Sequence, residues 1–258
     1  MTKIKIGTLN CQNNEDNRLD RNNHASILAD HILNEQYDIL GLQELTISYT
    51  KKINSYLKKH KFYGAYQYGK GIFGTRFPII KSFNQSNKIV TLYNINSTRT
   101  YALPWIPYSI KDLIKMIKKC CLTRRTLTKI ELTLNDNKIY VFNTHLDYYI
   151  PRLQQRQLNY LLKRIYKCQK KGKVVIMGDF NLHINDKIFK DFIKKLDDID
   201  IVRVPVDSKT NSSHYKDTTA IDHIFIPREW KMLDYGLISD DIDSITDHKA
   251  IYVDVSID

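Results

Sequence analysis

The chain has 258 residues, 42% of them hydrophobic, enough to bury one substantial core and too apolar for a disordered polymer. Forty basic residues against 28 acidic ones leave a formal net charge of +12. That excess attracts polyanions without identifying one, because lysine, isoleucine and asparagine are abundant along the whole chain. No continuous apolar stretch follows the opening MTKIKIGTLN or occurs later, which argues against a secretory signal or a helical membrane span and gives the expectation of a cytoplasmic protein.

In chain order, KIKIGTLN alternates like a strand, HASILADHILNEQ carries Ile27, Leu28, His31 and Ile32 on a helical stripe, and YDILGLQEL is a short apolar strand ending at Glu44. A helix over 49–60 is predicted next. It precedes strands in GIFGTRFPII, NKIVTLYNI, TLTKIELTL and NKIYVFNTHLD, with LNDNK as a hairpin turn between the last two. A helix in RLQQRQLNYLLKRIY, a strand in VVIMGDFNLH, a helix in NDKIFKDFIKKL and strands in IVRVPV, AIDHIFIP and AIYVDVSI complete the pattern. Strands and helices recur in both halves, which suits an α/β fold of two packed sheets with helices outside. No repeat of fixed period, linker or low-complexity block divides the chain, so one domain over 1–258 is expected. The four cysteines, Cys11, Cys120, Cys121 and Cys168, lack the spacing of a zinc knuckle and read as reduced thiols.

The polar residues Asn10, Glu44, His145, Asp179, Asn181, Asp222, Asp247 and His248 all lie at or just beyond the ends of apolar strand runs, where layered folds place their sites. Taken singly, each has an ordinary explanation as a cap or turn residue. Eight such residues within TLNCQ, LQEL, NTHLD, GDFN, IDHIF and TDH are harder to explain that way. In VVIMGDFN, Asp179 and Asn181 are expected to share one side of a strand, with Phe180 turned into packing.

The ordered string TLN, QE, RFPI, NTHLD, GDFN, IDHIF and TDH resembles the endonuclease/exonuclease/phosphatase superfamily over nearly the whole chain. The resemblance implies a four-layered α/β sandwich with the site at one end of two mixed sheets, and a magnesium-dependent hydrolase of phosphate esters, with manganese as an alternative ion. Glu44 and Asn10 offer the hard oxygen ligands that magnesium prefers, with Asp247 as a further candidate ligand. By resemblance Asp179 orients and deprotonates the attacking water, Asn181 positions the same centre, Asp222 backs His248, and His145 donates to a non-bridging oxygen. Arg124 or Arg125 could hold a substrate phosphate, Arg125 being the one selected. His183, His214 and His223 are not needed, and His223, inside an apolar run, reads as packed. The chain departs from the family at Gly71 and Gly74, before RFPI, and in a segment of about 94–121 that matches no family motif and reads as an insertion. Its helix from Ser109 to Cys121 has an apolar stripe of Ile110, Leu113, Ile114, Ile117 and Cys121 beside Lys111, Lys115, Lys118 and Lys119. A nuclease or other phosphodiesterase, an enzyme of small or lipid phosphates, and an inactive nucleic-acid-binding relative all remain open.

Overall fold

Apolar alternation makes Thr2–Asn10 a strand (β1), followed by the helix Arg21–Glu35 (α1), the strand Ile39–Leu45 (β2), the helix Ile47–Tyr56 (α2) and the strands Lys61–Tyr63 (β3) and Ser86–Thr91 (β4) in a computed structural model of the chain. Next come Ile95–Ala102 (β5), Thr126–Leu134 (β6), Asn137–His145 (β7), the helix Pro151–Gln169 (α3), Lys173–Asp179 (β8) and the helix Lys187–Asp197 (α4). Ile201–Arg203 (β9), Asp222–Pro227 (β10), Lys231–Ile238 (β11) and Ala250–Ile257 (β12) end the order. The structure describes residues 2–11, 21–65, 86–105, 109–112, 114, 125–208, 210, 220–238 and 242–257.

The strands form two six-stranded mixed sheets, ordered β11-β12-β1-β2-β4-β3 and β5-β6-β7-β8-β10-β9. Their inner faces interdigitate through Ile4, Ile6, Ile39, Ile89, Val141, Val175, Ile224 and Val253. On the outside of the first sheet Leu40, Leu42 and Val90 pack against Leu28 and Ile32 of α1 and Ile53 of α2. Phe142, Ile176 and Phe225 cover the other sheet's outside together with Leu158 and Leu161 of α3 and Phe189 of α4. Helix, sheet, sheet and helix layers are thus the four-layered sandwich, because each sheet has two apolar faces to bury and each helix has one. Polar groups also fill the inner seam, and Asn143 ties the two sheets together. Gln43 donates to Thr8 Oγ1 (3.0 Å) and Asn143 Oδ1 (2.7 Å), and the Asn143 amide donates to the carbonyls of Leu42 and Lys88.

Apart from the three-residue edge strand β3, which has no counterpart in the reading above, the predicted elements correspond to the observed ones with three differences. α2 begins at Ile47, where Thr46 Oγ1 accepts from Tyr49 N, and ends at Tyr56. The strand β11 has no counterpart in the reading above: it is an edge strand whose residues are exposed or half-buried, with a bulge between Met232 and Asp234, so it shows no apolar alternation. The third difference is β5, which occupies residues 95–102 of the segment read as an insertion and pairs antiparallel with β6 as the opposite edge. The strand expected in GIFGTRFPII, with Gly71 and Gly74, lies outside the described residues, as do Arg124, His214 and most of the 109–121 helix, including Leu113, Lys115, Ile117, Lys118, Lys119 and Cys121. Of that helix's apolar stripe, Ile110 and Ile114 are exposed.

Candidate active site

Four of the predicted residues reach the site by strand alternation alone. Asn10 in β1, His145 in β7, Asp179 in β8 and Asp222 in β10 share the inner-face phase of Ile4 and Ile6, Val141, Val175 and Ile224. Register then brings three of them into a row, since Asp179 is the direct partner of His145 on one side and of Asp222 on the other. All four are buried, with Asp222 at 0% and Asp179 at 1% exposure.

Glu44 arrives by a different route. Alternation would send it outward with Leu40 and Leu42, but the pairing of β2 with β4 shifts between Leu42 and Leu45. Glu44 itself adopts a left-handed φ of 61°, a costly conformation for a residue with a long side chain. The bulge turns its carboxylate to the inner seam, where Oε1 lies 3.8 Å from His145 Nδ1 and 4.0 Å from Arg125 Nη1. Gly178 performs the corresponding service in β8. Its φ is 139°, and a Cβ there would sit 2.0 Å from the Thr144 carbonyl oxygen, so only glycine lets β8 approach β7 closely enough to seat Asp179.

Asp179 is the most heavily bonded of the group. Its Oδ2 accepts from Asn10 Nδ2 (3.0 Å) and lies 3.3 Å from His145 Nε2, while Oδ1 accepts from the Asn181 N–H (2.8 Å). Burial first, and then the Asp222 charge, push its pKa up to about 7, against the pull of His248, Asn10 and the Asn181 amide. Arg125, just before β6, donates through Nη1 to His145 Nδ1 at 2.9 Å. Because a guanidinium can only donate, Nδ1 is the acceptor and the His145 proton sits on Nε2, facing Asp179. Burial, and then Arg125 and His248, hold the His145 pKa well below its usual value, so this imidazole is a neutral donor. His248 is the opposite case. Burial disfavours its charge, but the Asp222 carboxylate 2.9 Å from Nδ1, with Asp179 and Asp247 behind it, raises the pKa to about 10. His248 is an imidazolium at neutral pH.

Asn181 does not sit where alternation puts it. β8 ends at Asp179, and Asn181 has a left-handed φ of 50° in an Asx turn closed by the Asp179 carboxylate. Its amide turns back to donate to the Leu146 carbonyl (3.0 Å). Phe180 packs as expected among Phe189, Phe192 and Phe225. His223 joins that cluster with a nitrogen 3.0 Å from the Leu182 carbonyl, and burial lowers its pKa to about 4. Asp247 lies in a bend, with Oδ1 3.7 Å from His248 Nε2. Thr246 and three residues around α3 were not singled out by sequence. Thr246 Oγ1 donates to the Asn10 carbonyl (2.7 Å) and accepts from the His248 N–H (3.1 Å). Gln154 donates to the carbonyls of Asp147 (2.8 Å) and Asn181 (3.0 Å), and Gln157 accepts from the Asp147 N–H (2.8 Å). Buried glutamines three apart on an otherwise apolar helical stripe are the signal that could have found the last two.

Two donor sets could hold a cation. Asn10 spends its amide nitrogen on Asp179, so its oxygen is the atom it can offer, beside the half-buried carboxylate of Glu44. Asp179, Asp222 and His248 bring one ligand atom each within 4.8 Å of one another. Asp222 Oδ1 is buried with no hydrogen-bond partner among the described residues, which leaves an anionic oxygen for a cation. The first set is all oxygen and reaches solvent at Glu44, which suits magnesium with its retained waters. The second includes His248, which must give up its Nε2 proton before it can ligate an ion, so the oxygen set is the better cation site.

A sequence profile described as "Endonuclease/Exonuclease/phosphatase family" matches residues 7–248. No curated protein sequence matches the chain. Among solved structures, an endonuclease/exonuclease/phosphatase from Bacteroides vulgatus is similar over 100% of both chains at 15% identity and a TM-score of 0.78. A mannosyl-6-phosphatase of Bacteroides thetaiotaomicron aligns over 98% of this chain and 100% of its own at 14% identity and a TM-score of 0.77. D. rerio TDP2, complexed with a single strand DNA product, aligns over 100% of both chains at 16% identity and a TM-score of 0.70.

Proposed function

From the premise that the chain belongs to the endonuclease/exonuclease/phosphatase family, we propose that this phosphoesterase is a phosphodiesterase or nuclease that hydrolyses its ester by in-line attack of water. The observation that carries the reading is the Asp179 carboxylate, buried, aimed by Asn10 and Asn181, and raised to about 7 between two histidines of opposite charge state. A base poised near neutral pH combines a useful ionised fraction with a useful proton affinity.

Asp179 takes the proton of the attacking water. The Asn10 and His145 contacts to Oδ2 and the Asn181 contact to Oδ1 fix the carboxylate plane. His248, charged and backed by Asp222, presents positive charge to the phosphoryl oxygens as the negative charge on them grows. When substrate enters, the neutral Nε2–H of His145 passes from Asp179 to a non-bridging oxygen, and Arg125 holds the ring in that tautomer. Arg125 is almost wholly buried, so in this scheme orienting His145 comes before any direct hold on phosphate. A magnesium or manganese ion held by Asn10 and Glu44, with Asp247 as a further candidate ligand, would supply charge neutralisation at the phosphate and lower the pKa of a bound water.

A phosphate-ester substrate follows from the family, and the net charge of +12 favours a polyanion such as nucleic acid over a small ester. No described helix is long and apolar enough to cross a membrane; a cytoplasmic setting is part of the proposal. The test is a panel of plasmid, single-stranded DNA, RNA, inositol phosphates, sugar phosphates, sphingomyelin and bis(para-nitrophenyl) phosphate, assayed with magnesium, manganese and chelator. Hydrolysis of phosphomonoesters alone would replace the diesterase reading by a phosphatase. Undiminished turnover in chelator would remove the metal from the scheme.

A further inference from the structure

The loop joining β7 to α3 carries two consecutive exposed aromatic rings, three and four residues after His145. Tyr148 is 48% and Tyr149 37% exposed, with ring centroids 6.1 Å apart. Tyr148 follows His145 by three residues, so its Cα lies within about 11 Å of that histidine's. Single exposed apolar residues need no explanation on a protein surface. An adjacent pair on a loop tightly tied to the turn that holds Asp179 does.

The holding is specific. Asp147, itself buried, accepts the N–H groups of both Tyr149 (2.9 Å) and Ile150 (2.8 Å) on Oδ1. Its own N–H is taken by Gln157 Oε1 and its carbonyl by Gln154 Nε2. Gln154 also reaches the Asn181 carbonyl, and Leu146 on the same loop exchanges bonds with both Asp179 and Asn181. Gln157 extends the ties to the Pro104 carbonyl (2.9 Å) beyond β5. The backbone under the two rings is therefore locked to the turn that holds Asp179. A platform fixed in this way loses little conformational entropy when a ligand settles on it. Arg152, exposed in the first turn of α3, adds a cation next to the pair.

We propose that Tyr148 and Tyr149 are specificity-determining residues that receive the nucleobase carried by the ester group that stays with the scissile phosphate, which makes the substrate class a nucleotide-containing phosphodiester. The inference rests on the reading of Asp179 and His145 as the reacting centre. A tyrosine ring stacks on any nucleobase, because every base presents a π-face, and the contact adds affinity without sequence preference. A sugar or inositol phosphate offers no such face. The pair acts on binding and touches no reacting atom.

The experiment compares two diesters with the same leaving group, the para-nitrophenyl phosphodiester of thymidine and methyl para-nitrophenyl phosphate, in the parent, the double variant Tyr148→Ser/Tyr149→Ser and the double variant Tyr148→Phe/Tyr149→Phe. The serine variant should raise KM for the thymidine diester by about tenfold, the order of one base-aromatic stack. Its kcat, and both constants for the methyl diester, should stay at parent values. The phenylalanine variant, which keeps the rings, should behave as the parent. Equal KM for the thymidine diester in the serine variant and the parent, or equal weakening on both diesters, would overturn the platform. If the parent hydrolyses neither diester, the reacting centre is misread. Calorimetry with thymidine monophosphate then decides the platform alone: tighter binding to the parent than to the serine variant supports it, and equal or absent binding overturns it.

Discussion

The strands β11-β12-β1-β2-β4-β3 and β5-β6-β7-β8-β10-β9 run with the same alternation of directions, antiparallel except for one central parallel pair, β1 with β2 and β7 with β8. In each half the same chain order builds that centre: strand, helix, strand, helix, short strand, strand. Asn10 at the end of β1 corresponds to His145 at the end of β7, and Glu44 at the end of β2 to Asp179 at the end of β8. Arg125, just ahead of β6, matches the position of His248, just ahead of β12. The frames are alike and the chemistry is not. One half ends in oxygen donors, with Glu44 turned by a bulge into the inner seam. The other ends in a buried acid and a neutral imidazole whose pKa values are both strongly displaced. A repeated backbone thus supplies two sets of strand ends at one place, and the proposed mechanism gives ion holding to one set and proton handling to the other. The Asn10 to Asp179 bond joins the two.

The sharpest way to break that division is Asp179→Asn, which keeps shape and removes basicity. Turnover should fall by roughly two to four powers of ten with KM little changed; a large rise in KM at normal kcat would assign Asp179 to substrate holding instead. Next in size is the backbone that seats it. Gly178→Ala should destabilise the fold by about 3 kcal/mol or more, because the new Cβ meets a backbone carbonyl and the φ is left-handed. Gly41→Ala in the other half meets side-chain atoms, Met177 Cγ at 2.9 Å and the hydrogen-bonded Asn143 amide at 3.0 Å, and should cost less, about 2 kcal/mol. Urea unfolding of both variants measures the contrast, and equal losses would deny Gly178 its special role. Glu44→Gln should raise the magnesium concentration needed for half-maximal rate by about tenfold or more. Unchanged metal dependence in that variant would move the ion to the Asp179, Asp222 and His248 group.

The smallest effect is on stability. The folded pKa of Asp179 is raised from 3.8 to about 7, so the native state holds this proton more tightly than the unfolded chain does. Stability from this group is present at low pH and declines as pH rises toward 7. Asp179→Asn, measured in chelator, should therefore melt a few degrees above the parent at about pH 8, with the gain vanishing near about pH 4. His248 has the opposite dependence on charge. Its pKa is raised from 6.5 to about 10, so its contribution is full below about pH 6.5 and is lost as pH passes 10. The rate should accordingly rise through about pH 7 as Asp179 ionises and fall toward pH 10 as His248 loses its proton; a profile flat across neutral pH would contradict the Asp179 assignment.

The amino-acid sequence carried the central strands and the helices of both halves, since alternation and helical stripes follow from which faces must be buried. The same alternation put Asn10, His145, Asp179 and Asp222 on the inner face at strand ends, because a side-chain period of two fixes the face of every residue once the apolar ones are placed. The edge strands β5 and β11 stayed illegible for the complementary reason. Their exposure removes the burial that writes a pattern. The tertiary structure alone decided what depends on contacts distant in sequence. The bulge that reverses Glu44 is a matter of its pairing with β4, and the tautomer of His145 is set by Arg125 twenty residues earlier. The charge on His248 comes from Asp222, 26 residues away, and the raised pKa of Asp179 from its depth between two sheets. A residue's type and phase are local facts, whereas its desolvation and its charged neighbours exist only after the two sheets have closed on one another.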